Sequence, residues 1–465
     1  MDWKSEVLAR KERLIEDLSY LLSIKSVKDL STKSEMAPMG KSINDALQFM
    51  LDKAKQDGFR TKNIDGYVGY AEMGPENAEE YIAILCHLDV VPATGDWDSD
   101  PFSPELRNGK LYARGAIDDK GPTMAAYCAL KIIKDNNFPL KHRVRIIFGT
   151  DEESGMSCMK RYVQTEPEAL TGFAPDAEFP LIHAEKGQIN AILKMQEDTV
   201  PQDGEVILKS FHAGEKGNMV PDKAVVVLSG KELETLKEKF IEFGKTESLE
   251  TAFDLNNHSL TLTLYGKSAH GMEPHKGISA AAKMALFLLD GVRSPFLIFI
   301  CECLADDHIG ERLGIAFADK VTGSLTVNPG IFRYTQNAEG TIALNIRCPV
   351  ETPYLRTIEK LNETAQKYGF EIEEVREKKP HHVAKDGPVI KILQHAYKEE
   401  TGQEANLLTT GGATYARFIN KGVAYGAVFP GKENTAHQRN EYIEIDDLCM
   451  ATAIYARAIY DLAKQ

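Results

Sequence analysis

Five short clusters in this 465-residue chain hold residue types that could do chemistry together. The first is His87-Leu88-Asp89, which follows the apolar run Tyr81-Ile-Ala-Ile-Leu-Cys86. Residues two apart in a strand point to one side, so His87 can bind a cation while Asp89 orients its other ring nitrogen. Taken alone, a strand-end histidine is more often structural. The second cluster, Ala113 to Gly121, sets Asp118-Asp119 between glycines. Glycine permits the sharp turn that brings a carboxylate into a crowded centre, where one carboxylate can bridge two cations. An acidic helix N-cap is the competing reading. The third, Thr150-Asp151-Glu152-Glu153-Ser154-Gly155, follows the apolar run Val144 to Gly149. Adjacent carboxylates repel unless a cation neutralises them or one is protonated, which suits a metal ligand beside a general base; a solvated acid pair is equally common. The fourth, Phe173 to Pro180 around Asp176, and the fifth, Thr435 to Glu441 around His437, are weak in isolation. Together the clusters supply two histidines and at least three carboxylates without a thiolate, a donor set for a pair of zinc, manganese or cobalt ions.

The elements that must position these groups are legible around them. Buried strands run straight into the polar residues, and a helical pattern from Gly121 to about Lys134 lies between two of them. Strand, helix, strand alternation predicts an α/β fold with a mixed, mostly parallel sheet sandwiched by helices, with chemistry at the carboxyl ends of its strands. From residue 187 the pattern changes to alternating strands such as Ser259–Leu264 and Thr341–Ile346, which predict an inserted α+β domain with one solvated sheet face. Ser229 with Glu232 reads as a capping box for a helix that Gly244 ends, and Thr352-Pro353 opens another that Gly369 closes. Core-type segments return after residue 382. The expected organisation is a catalytic domain of residues 1–186 and 383–465 with a lid domain of residues 187–382 inserted in it.

Composition narrows the function classes. A net charge of −14 disfavours phosphate backbones and anionic lipid, so neither nucleic acid nor a membrane is an expected partner. The N-terminus reads as an amphipathic helix rather than a signal peptide, and the longest apolar run, Phe296 to Cys301, is too short to span a bilayer. Seven scattered cysteines, with no Cys-x-x-Cys pair, favour reduced thiols in a cytoplasmic protein.

These residues resemble the co-catalytic metallopeptidases that include aminoacylases, succinyl-diaminopimelate desuccinylase, carnosinases and the bacterial dipeptidase PepV. The similarity runs essentially end to end: His-x-Asp at His87 and Asp89, Arg-Gly-x-x-Asp-Asp-Lys-Gly at 114–121, Glu152-Glu153, Trp97 with Pro101-Phe102, Gly266 to Gly271, and His437. Asp118 to Thr123 and Phe173 to Pro180 look closest to the PepV and carnosinase branch. The resemblance implies a dipeptidase with two divalent metal ions, zinc first and manganese or cobalt as alternatives. One ion would be held by His87, Asp118 and Asp176, and the other by Asp118, Glu153 and His437. Glu152 would be the general base, Asp89 the partner of His87, and His270 the group near the scissile carbonyl. Asn218 and Arg347 would meet the substrate carboxylate, and Gly411-Gly412 either offers it backbone N–H groups ahead of a helix or is a tight turn.

The expected substrate is an unblocked dipeptide, β-alanyl dipeptides such as carnosine included. The competing readings are a deacylase of N-acyl amino acids and, more remotely, a non-catalytic binding module. The resemblance also implies a cis peptide between Asp118 and Asp119. Two similar strand-helix-strand units in the lid, the first spanning Val206 to Leu264 and the second Thr341 to Val375, suggest that a doubled lid serves its own chain. A monomer is therefore expected, with a homodimer as the alternative. Thr414-Tyr415 departs from relatives that carry an aspartate there. The remaining histidines, His381-His382 among them, are read as surface or core residues.

Overall fold

Every residue of the strand Tyr81–His87 is buried, which explains its unbroken apolar sequence. Ile82, Ile84 and Cys86 enter one hydrophobic core and Tyr81, Ala83 and Leu85 another, so both faces of the sheet are covered. The structure, a computed structural model, describes residues 1–195, 206–256 and 258–465. The chain divides into one unit of Met1–Ala184, His382–Thr409 and Ala413–Gln465 and a second of Glu185–His381 and Thr410–Gly412.

In the first unit the sheet runs in the order Arg60–Ile64, Val68–Met73, Arg143–Gly149, Tyr81–His87, Thr171–Ala174, Gly422–Ala424, Leu181–Glu185. The middle pairings are parallel and the flanking ones antiparallel. Helices Lys120–Asp135 and Ile445–Ala463 pack in the larger core, and helix Ser157–Thr165 in the smaller one. The expected sheet sandwiched by helices is therefore present. The N-terminal amphipathic segment is two helices, Trp3–Leu8 and Lys11–Ser23, the first capped by the Asp2 side chain.

The second unit is built on an eight-stranded antiparallel sheet. Its order is Thr251–Leu255, Leu260–Tyr265, Lys223–Gly230, Val206–Ala213, Thr326–Thr335, Gly340–Cys348, Gly187–Met195, Phe370–Lys378. Each half of that order contains a hairpin followed by a helix and an edge strand, and the halves meet where Val206–Ala213 pairs with Thr326–Thr335. The helix expected from Ser229 differs in detail. It spans Leu233–Glu247, with Glu232 left-handed and no side-chain cap. It also runs past Gly244, because that glycine serves a close approach instead: a Cβ there would lie 2.5 Å from Thr251 Cγ2.

Candidate metal centre

Three parallel strands end side by side, with Tyr81–His87 between Arg143–Gly149 and Thr171–Ala174 and His87 in register with Gly149. The loops leaving these ends carry Asp89, Glu152-Glu153 and Asp176, at the edge where an open α/β sheet binds its ligands. Asp118 reaches the same place on a turn organised by Glu441. The Glu441 side chain accepts from the amides of Gly115, Ile117 and Asp118 at 3.1, 2.9 and 3.2 Å, and from Arg114 Nη1 at 2.6 Å. Arg114 and Glu441 are both buried. Burial and repulsion by Asp118 push the Glu441 carboxyl up to about 7, with Arg114 opposing. The Asp118–Asp119 peptide is cis, the isomer the resemblance implied.

His87 Nε2 lies 3.0 Å from Asp118 Oδ1 and 3.7 Å from Asp176 Oδ2. His437 Nε2 lies 3.0 Å from Asp118 Oδ2 and 3.0 Å from Glu153 Oε2. The two oxygens of Asp118 thus face different histidines, the disposition a bridging carboxylate needs. His437 is left-handed, with φ 63°, a conformation that costs a non-glycine residue energy and clusters at functional sites. Donor atoms of His87, Glu152 and Asp176 fall within 4.8 Å of one another, as do those of His87, Asp118 and Glu153.

Burial, and then repulsion from neighbouring carboxylates, pushes Glu152, Glu153 and Asp176 above the usual carboxylate range. Burial works against charge on the histidines, yet hydrogen bonds to Asp118 and its neighbours raise both, His437 to about 11. Asp118, buried but bonded to both rings, is held well below the usual range. Four crowded carboxylates and two imidazoles, with no thiolate, fit a pair of divalent cations.

Asp89 touches both His87 and the acid pair. The strand stops at His87, so the two side chains do not continue a strand face. The Asp89 carboxylate is 3.6 Å from His87 Nδ1, whereas its main-chain oxygen is 2.9 Å away. The carboxylate also accepts the amides of Glu152 and Glu153, at 3.1 Å each. Asp89 therefore faces the histidine with both its main-chain oxygen and its carboxylate, and holds the acid pair through the carboxylate.

The other expected residues lie in the second unit. Asn218 and His270 sit on neighbouring chain segments, joined by Gly271 N–H donating to Asn218 O at 2.7 Å and Val220 N–H donating to Ala269 O at 2.9 Å. Asn328 Nδ2 donates to the carbonyls of Gly217 and Met219, at 2.9 and 3.0 Å, and so holds the Asn218 turn from beneath. Met272 N–H donates to His270 Nδ1 at 3.2 Å, which makes Nδ1 the acceptor and leaves the proton of a neutral ring on Nε2. The buried Arg347 donates from Nε to Asn345 Oδ1 at 2.9 Å and from Nη1 to Gly411 O at 2.8 Å.

Gly411 thus contributes a carbonyl to Arg347, and the Gly412 N–H is taken by Thr410 Oγ1 at 3.0 Å. Of the two readings of the pair, N–H donors to a carboxylate or a tight turn, the Thr410 bond fits the turn at Gly412. The helix expected after the pair is a single 3-10 turn, Tyr415–Phe418.

A model of peptidase family M20/M25/M40 matches residues 83–461 of the chain. The chain belongs to that family. A Bacillus subtilis relative named "Putative dipeptidase YtjP" is 44% identical over 468 residues, covering 100% of each chain. Human carnosine dipeptidase 1 shares the fold, with a TM-score of 0.60 at 14% identity, covering 100% of this chain and 98% of that one. The dipeptidase Dug1p from Saccharomyces cerevisiae superposes with a TM-score of 0.61 at 12% identity, covering 100% and 98%. This M20-family chain is a peptide hydrolase, and among its described residues no helix is long and apolar enough to cross a membrane.

Several groups that organise this family member's site carried no role in the sequence reading. Arg114 and Glu441 stood inside the quoted clusters, but their pairing spans 327 residues. Asn328 and Asn345 are polar residues at buried strand positions, a signal that could have marked them.

Proposed function

We propose that this M20-family chain hydrolyses the peptide bond of unblocked dipeptides at a dinuclear metal centre. The observation that carries the metal centre is Asp118, which presents one carboxylate oxygen to His87 and the other to His437 with Glu152 and Glu153 alongside. The dipeptide substrate draws support from the name of the Bacillus subtilis relative, which matches over its whole length. His87, Asp118 and Asp176 would hold one ion, and Asp118, Glu153 and His437 the other, with zinc the first expectation and manganese or cobalt accepted by the same donors. Bound there, the ions supply positive charge that lowers the pKa of a water towards about 7 and polarises the scissile carbonyl.

Glu152 takes the proton from that water and delivers it to the leaving amine. Burial raises its carboxyl above the usual carboxylate range, which favours proton uptake. Asp89 keeps Glu152 in place through its amide. On this reading His270, protonated on Nε2, donates to the developing oxyanion, and Asn218 and Arg347 receive the substrate carboxylate, to which a guanidinium offers a paired fork. His270 then acts within its own chain, and the enzyme works as a monomer in the cytoplasm.

The test is hydrolysis of a free dipeptide, its N-acetyl form and an N-acyl amino acid by metal-supplemented protein. Preferential cleavage of the free dipeptide is expected. Cleavage of the N-acyl amino acid alone would replace the reading with deacylation. Recovery of activity on mixing His270→Ala with Glu152→Ala protein, together with a dimeric mass, would overturn the monomer.

A further inference from the structure

The segment from the end of helix Lys11–Ser23 to Lys28 lies outside the stretch matched by the family model, yet it touches three of the loops that carry the site. Lys120, next to the Asp118-Asp119 pair, is buried and donates from Nζ to the carbonyls of Leu21 and Ile24, at 3.0 and 2.7 Å. Those carbonyls also accept the amides of Ile24 and Ser26, at 3.3 and 2.8 Å, so the Lys120 amine adds a second donor to each at the end of the helix. Ser26 is also fully buried; its hydroxyl donates to Leu88 O at 2.6 Å, and its carbonyl accepts from Val90 N–H at 3.0 Å. Those two bonds bracket Asp89. Lys28 Nζ donates to Asp151 Oδ1 at 2.7 Å and to Ser154 Oγ at 2.8 Å, the residues on either side of Glu152-Glu153.

The Lys28 contacts reach furthest into the chemistry. Glu152 and Glu153 hang between two carboxylates: Asp89 accepts their amides, and Asp151 anchors the chain immediately before them. Asp151 also accepts the Ser157 amide at 2.9 Å and so ties the turn to the start of helix Ser157–Thr165. Its side chain is only 2% exposed, whereas that of Lys28 is 33% exposed. A buried carboxylate left without its cation is costly, so the turn would rearrange if Lys28 were removed.

We propose that residues 21–28 form a positioning strut for the catalytic loops, and that Lys28 is a positioning residue that acts through Asp151 and Ser154 to set the direction of Glu152 and Glu153. The proposal rests on the reading of Glu152 as base and Glu153 as ligand. Two readouts test it in the full-length protein: steady-state kinetics on a dipeptide, and the Kd for Mn²⁺ measured by calorimetry without substrate.

Lys28→Met is expected to lower kcat about 10- to 100-fold with KM within about threefold, and to weaken Mn²⁺ binding about tenfold, because groups that orient ligands are typically worth that much. Lys28→Arg should recover most of both. Wild-type kcat and Kd in folded Lys28→Met protein, or losses that Lys28→Arg fails to recover, would overturn it. If Lys28→Met does not fold, Ser154→Ala removes one of the two Lys28 bonds, together with the bond from the Ser154 hydroxyl to Asp151, and no charge; a fall in kcat of about threefold with weaker Mn²⁺ binding supports the strut, and an unchanged kcat overturns it. Wild-type protein that cleaves no dipeptide would count against the proposed substrate, while the Mn²⁺ Kd of the variants would still decide the strut.

Discussion

The polar groups of the two units are held in place by different forces. In the first unit, carboxylates face imidazoles and one another at close range, and burial raises the proton affinity of Glu152, Glu153 and Asp176. In the second, Asn218, His270 and Arg347 are held by side-chain amides: Asn328 donates to two carbonyls, and Asn345 accepts from Arg347 and donates to Asn190 at 2.6 Å. Charges crowded together depend on counter-ions and pH, whereas amides bonded to main-chain carbonyls depend on neither. The same fold thus carries one cluster built to attract cations and one that keeps its shape without them.

The largest effect should come from Glu152→Gln, which keeps the hydrogen-bonding shape but removes the base. Turnover is expected to fall by about 10²- to 10⁴-fold with metal content unchanged. Metal analysis alongside kinetics checks it, and near-normal turnover with full metal would end the assignment. Glu153→Ala should instead lose metal.

Next come two stability measurements that set the units against each other. Arg114→Met leaves Glu441 buried without its cation and should cost about 3–5 kcal/mol in chemical denaturation. Asn328→Ala strips two carbonyls of a neutral donor and should cost about 1–3 kcal/mol. Equal costs would break the contrast between charged and neutral scaffolding.

The smallest effect concerns metal removal and pH. Glu152, Glu153 and Asp176 have folded-state pKa values above their unfolded ones, and so do His87 and His437. Such groups contribute stability at low pH that is lost as pH rises through their folded values. For the carboxylates the loss begins just above the ordinary carboxylate range, so chelated protein should melt lower at pH 8 than at pH 6. Added Mn²⁺ should raise the Tm more at pH 8, by roughly 2–4 °C beyond its effect at pH 6. A metal-induced rise that is independent of pH would show that the crowded carboxylates do not govern stability.

Much of the site was readable because its chemistry is written in short segments. The apolar runs before His87 and Asp151 became strands Tyr81–His87 and Arg143–Gly149, and the helix expected from Gly121 spans Lys120–Asp135. Where local rules misled, a tertiary contact had intervened. Gly244 looked like a helix stop but makes room for Thr251. Asp89 does stand beside His87, but on the loop after the strand, which ends at His87, two residues before it.

By itself the sequence determined which segments are strands buried on both faces, which residue types stand at their carboxyl ends, and that those types bind hard or borderline cations. These are properties of contiguous residues, set by side-chain periodicity and donor chemistry. Only the tertiary structure decided which oxygen of Asp118 faces which histidine, that Glu441 holds the distant turn of Gly115 to Asp118 by its amides and pairs with Arg114 across 327 residues, and that Lys28 and Lys120 fasten the N-terminal segment to the catalytic loops. Such pairings follow from the closing of long loops around a shared core, and their partners leave no mark in the spacing of neighbouring residues.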